Sequence, residues 1–63
     1  PEFQAKPGDL IFWSNDNGRS YYHTAIYIGN GQMISADSPT QGINVEPIWG
    51  RDQHVIFRTY ANN

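Results

Sequence analysis

Apolar residues in this chain fall into short runs and alternations broken by Gly, Pro, Asn and Asp, and no stretch keeps a 3.6-residue apolar period over ten or more positions. Such patterning predicts strands and turns rather than helices. Pro7-Gly8 reads as a turn delivering the near-continuous apolar run of residues 9–13, as expected of a strand covered on both faces. Residues 14–20 form a polar loop with an Asn17-Gly18 turn signal, and residues 21–28 are the strongest strand in the chain. Gly29-Asn30-Gly31 then closes a hairpin onto residues 32–36. A Pro-containing loop over 37–42, a short alternating strand over 43–46, a second loop over 47–53 and a last strand over 54–61 complete the pattern. In that last strand Val55, Phe57 and Thr59 face one way, and His54, Ile56, Arg58 and Tyr60 the other. The expectation is one mostly antiparallel, curved sheet of about five short strands.

The hairpin decides which residues share a face. A two-residue loop pairs Ile28 with Met33 and Ile26 with Ser35. A three-residue loop, with Gly31 left-handed at a bulge, pairs Ile28 with Gln32, Ile26 with Ile34 and Ala25 with Ser35. The second register is the more coherent, because it gathers Ile26, Ile28 and Ile34 into an apolar face that serves as core. It places His23, Ala25, Tyr27, Met33, Ser35 and Asp37 on the other, a mixed face of the kind that holds sites.

Composition narrows the classes. Sixty-three residues allow at most one small domain, and 38% apolar content makes a thin core for it. Without Cys there is no disulfide to compensate, and two His without Cys make a poor zinc site, so neither metal nor cofactor is expected. A net charge of −2 with no basic run argues against nucleic-acid and anionic-membrane partners. The longest apolar runs fall far short of the roughly 20 residues of a membrane span. No export signal is legible at the start, and Pro1-Glu2-Phe3 reads as a cloning remnant preceding a folded unit over 4–63.

His23 heads a strand, a position where a side chain is held by the sheet yet reaches a cleft. Around it, Gly8-Asp9-Leu10-Ile11-Phe12-Trp13 and, after a polar loop, the unbroken string from His23 to Ala36 (HTAIYIGNGQMISA) resemble the C-terminal half of the NlpC/P60 cysteine peptidase family. The resemblance covers Lys6 to about Arg58, and wall hydrolases of the CHAP and amidase type share much of the pattern. It implies an α+β papain-like fold for the whole domain, with this segment as its β-rich half. It also implies cleavage of a peptide or amide bond in peptidoglycan stem peptides, in a secreted, wall-associated or phage-encoded lysin.

By the same resemblance His23 is the general base, and the third polar position of the triad maps to Ser35, where the family more often has His. Asp37, two residues on, is the second candidate to orient the ring, or else a loop cap near the strand's end. The nucleophilic Cys of the family stands at a helix start in the N-terminal half, and none is present in this chain. The expected partner is therefore a Cys-bearing half, whose absence leaves the face of Trp13 and Tyr27 uncovered and the isolated chain marginal or self-associating.

Among the aromatic residues, Trp13 and Tyr27 read as core, and Tyr22 as a substrate-groove residue on the face opposite His23 by alternation. Asp9 reads as a turn residue, and His54 as an ordinary surface histidine. The rival to a half-peptidase is a complete, non-catalytic SH3-like barrel that binds cell wall, which would account for the lack of Cys.

Overall fold

The computed structural model describes residues 1–59; Tyr60 and Ala61, expected in the last strand, lie outside them. Five strands follow a short 3-10 turn at Glu2–Gln4: β1 (Leu10–Ser14), β2 (His23–Gly29), β3 (Gln32–Ser38), β4 (Gly42–Pro47) and β5 (His54–Arg58). They form a single sheet in the order β4-β3-β2-β1-β5, and every neighbouring pair is antiparallel. The sheet is open, with β4 and β5 as its edges, so the closed-barrel alternative is set aside.

The β2–β3 hairpin keeps the expected face grouping by a different device. Ile26 pairs with Ile34 and Tyr27 with Met33, but Gln32 pairs with Gly29 rather than Ile28. Asn30 (φ 56°) and Gly31 (φ 73°) are both left-handed and form a two-residue turn. The extra residue that restores parity is a bulge in β2 between Tyr27 and Gly29, and not a third loop residue.

The core lies on the opposite face from the one expected. Ile11, Trp13, Ala25, Tyr27 and Met33 are buried, whereas Ile26 and Ile34 are 44% and 36% exposed, and Ile43 and Val45 still more. The cause is topological. Since β4 and β5 sit at opposite edges, the chain between them has to cross the sheet over one face. It crosses that of Trp13, where Ile48 is buried and its amide donates to the Gly31 carbonyl at 2.9 Å. Ala5, Val55 and Phe57 close the same layer, with Phe57 edge-on to Tyr27. Trp13 and Tyr27 are thus core, as expected, but they are covered by the chain's own segments, and the uncovered apolar face is that of Ile26, Ile34, Ile43 and Val45.

Two loops are tied by carboxylates. Asp9 accepts the Lys6 amide at 2.9 Å and so serves the turn expected of it. In the β1–β2 loop Asn17 and Gly18 are left-handed, and Asp16 accepts from the Ser14 hydroxyl (2.6 Å), the Ser20 amide (2.9 Å) and the Ser20 hydroxyl (2.6 Å). Those bonds, the one from Ser14 foremost, hold the Asp16 carboxyl at about 2, below its ordinary 3.8. The folded value being the lower, this stabilisation is complete above about 3.8 and is lost as pH falls through about 2. Asp16→Asn should therefore melt lower than wild type at neutral pH and lose less melting temperature between pH 4 and pH 2. Parallel acid profiles would show that the loop contributes nothing. At the N-terminus Glu2 receives a two-pronged bond from Arg51, 2.8 Å from Nε and 2.7 Å from Nη2.

Candidate active site

His23 opens β2 directly opposite Trp13 of β1, because the polar β1–β2 loop ends there; Tyr22 precedes the strand and is held by its amide donating to the Trp13 carbonyl at 3.0 Å. The crossing loop lays Trp49 against both rings. Centroid separations are 4.7 Å for Trp13 and Trp49, stacked, 5.1 Å for Trp13 and His23, and 5.2 Å for His23 and Trp49. The Trp13 indole N–H donates to the Trp49 carbonyl at 2.8 Å, which anchors the loop to the core. The imidazole thus packs, tilted, against two indoles that are stacked on each other.

One edge of the ring meets β3. His23 Nε2 and Ser35 Oγ are 2.7 Å apart, and Ser35 is 1% exposed. The Ser35 hydroxyl in turn reaches Asp37 Oδ1 at 3.1 Å, and Asn44 Nδ2 donates to Asp37 Oδ2 at 3.2 Å. Asn44 is the cross-strand partner of Ser35, which explains its reach. Asp37 lies inside β3, at the register shift between Ala36 and Ser38, so the strand runs further than the sequence pattern suggested and the loop-cap role does not apply. Nδ1 of His23 has no hydrogen bond among the described residues.

A second carboxyl completes the cluster. Glu46 accepts from the Trp49 indole N–H at 2.7 Å and shares a hydrogen bond with Asp37. That shared bond foremost holds the Asp37 carboxyl below the usual range, with Asn44 and Ser35 adding to it, and pushes Glu46 above it.

An open cleft of about 930 Å³ is lined by Tyr22, His23, Asp37, Asn44, Glu46 and Trp49. A second, of about 590 Å³, meets it at Tyr22 and His23 from the side of Phe12 and Ala36. Tyr22 thus shares both clefts with His23 instead of facing away, because alternation does not extend to a residue before the strand; its hydroxyl donates to Gln53 Oε1 at 2.5 Å. His54 stands apart from this cluster, exposed, with Nε2 3.5 Å from the Tyr21 hydroxyl. Among the described residues no three metal-ligating side chains converge.

Sequence reasoning placed His23 and Ser35 in this site but passed over Trp49, Asn44 and Glu46. The one local signal for Trp49 is a Trp-Gly pair in a polar loop three residues after an acid, and that says nothing about which face the loop crosses.

The NlpC/P60 family profile matches residues 1–58, and the chain belongs to that family. It is 49% identical over 49 residues to "Probable endopeptidase p60" of Listeria innocua, which covers 78% of this chain and 10% of that protein. It is 48% identical over 42 residues to "Protein P54" of Enterococcus faecium, covering 67% and 8%. Against "Peptidoglycan endopeptidase RipB" of Mycobacterium tuberculosis the figures are 40% over 48 residues, 76% and 19%. The chain therefore spans a fifth or less of these curated relatives. No solved structure matches it significantly.

Proposed function

We propose that this chain supplies the general base, His23, and its orienting hydroxyl, Ser35, to a cysteine peptidase site that hydrolyses peptidoglycan stem peptides. The nucleophilic Cys comes from a Cys-bearing half of the same domain, and the enzyme works outside the cell or at the wall. The observation that carries this reading is the 2.7 Å contact of His23 Nε2 with a buried hydroxyl while Nδ1 is left without a partner beside an open cleft. Family membership and the peptidase names of the relatives supply the reaction class.

In the reaction, Ser35 Oγ accepts the Nε2–H, which leaves the Nδ1 lone pair to take the thiol proton. The thiolate attacks the amide carbonyl. The imidazolium then returns its proton from Nδ1 to the leaving amine, and water, activated by the same nitrogen, hydrolyses the thioester. Trp13 and Trp49 keep the ring from turning, and Tyr22, Trp49 and the polar wall of the cleft form a groove suited to an amide-rich chain.

The test is release of peptide fragments from purified cell walls by the complete domain, with inactivation by a thiol-alkylating reagent. Ser35→Ala should lower turnover about 10- to 100-fold, since a neutral hydroxyl positions the ring without carrying charge itself. A full-rate Ser35→Ala enzyme would remove Ser35 from the mechanism.

A further inference from the structure

The geometry points to Asp37 as a positioning residue that acts on His23 through Ser35, fixing the direction of the hydroxyl and with it the tautomer of the base. This inference rests on His23 being the base of the proposed reaction.

A serine hydroxyl has one proton and can either donate to a neighbour or accept from it. Beside a neutral imidazole it is therefore an ambiguous partner. If Ser35 donates to Nε2, the ring proton is driven to Nδ1 and the base has no lone pair on the side facing the cleft. If Ser35 accepts from Nε2–H, Nδ1 is free. Position alone does not choose between these, and 2.7 Å suits both.

Asp37 makes the choice. A carboxylate accepts only, and its Oδ1 lies 3.1 Å from Ser35 Oγ, so the single hydroxyl proton is directed to Asp37 and Oγ presents its lone pairs to His23. Ser35 is fully enclosed, so water cannot readily take the place of either partner. Asp37 is itself fixed by Asn44, which donates to Oδ2 from the strand beside it, and its carboxyl is held below the usual range by side-chain hydrogen bonds, that with Glu46 foremost. An isolated serine would orient the ring but leave its tautomer undecided; a serine backed by a carboxylate defines both. A neutral residue can accordingly stand where a charged or basic one is more usual, because the charge is one hydrogen bond further out.

Long-range proton–nitrogen NMR of ¹⁵N-labelled His23, at a pH where the ring is neutral, reads the tautomer directly. It is applied to the 63-residue chain and to the complete domain with its cysteine replaced by alanine. In wild type the Nε2–H form should predominate; a predominant Nδ1–H form overturns the inference without any variant. In Asp37→Asn the amide can donate to Oγ, the hydroxyl turns to His23, and the ratio of Nε2–H to Nδ1–H should fall at least tenfold while backbone shifts away from β3 stay in place. A ratio within twofold of wild type overturns it. Should Asp37→Asn fail to fold, Ser35→Ala decides: it should bring the ratio to that of free imidazole, and a ratio still at the wild-type value overturns the relay. Because the readout is independent of turnover, an active His23→Ala enzyme would sink the proposed function and leave the relay standing. An unaltered tautomer in an enzyme that needs His23 would do the reverse.

Discussion

His23→Ala in the complete domain should abolish release of peptide from cell walls, with turnover down by at least about three orders of magnitude. General-base assistance alone is worth about 10²- to 10⁴-fold, and a base acts as a unit with its nucleophile, so losing the base also leaves the cysteine a thiol at neutral pH. The fold should survive, because the ring lies at the sheet's end against Trp13 and Trp49, outside the buried core. A melting curve close to wild type together with lost turnover and a slowed rate of thiol alkylation would be the signature of this role. Unchanged turnover would refute it.

The largest expected effect on stability comes from Trp13→Ala. Trp13 is wholly enclosed, stacks on Trp49, contacts His23 and donates its indole N–H to the Trp49 carbonyl, so it joins the sheet to the loop that covers it. Truncating a buried tryptophan costs about 3 to 5 kcal/mol. That is about all a core of this size provides, so the variant should be unfolded or molten at 25 °C. Trp13→Phe keeps most of the apolar contact and loses the indole bond, at a cost of about 0.5 to 1.5 kcal/mol, and should fold with a lowered melting temperature. Near-ultraviolet circular dichroism and thermal melting distinguish the two. A Trp13→Ala chain with a cooperative transition within a few degrees of wild type would show that the crossing loop does not depend on this residue. Gly50, at φ 72° with the Trp13 indole nitrogen 3.1 Å from where its Cβ would stand, shows how closely the loop is laid on that ring.

The sequence by itself determined the local structure. Alternation and turn residues placed five strands, a hairpin at Gly29-Asn30-Gly31, the Asn17-Gly18 turn and the grouping of side chains on each face, because these follow from the period of the strand and from backbone sterics at Gly and Asn, although the hairpin reaches that grouping by a two-residue turn and a bulge in β2 where a three-residue loop was expected. They also set His23 and Ser35 on one face, since one register of one hairpin is enough for that. Which face became the core was not legible. Ile26 and Ile34 are as apolar as Ile11 and Met33, and only the passage of the β4–β5 connection from one sheet edge to the other decided that Trp13, Tyr27 and Met33 would be covered. The same passage delivered Trp49 and positioned Glu46 in its bond to that indole, and the bulge inside β3 kept Asp37 in the strand beside Ser35. Those neighbours are brought together by the pairing of β3 with β4 and by a loop crossing the sheet. The energy that selects such an arrangement is spread over many weak contacts, none of which leaves a mark at a single position in the chain.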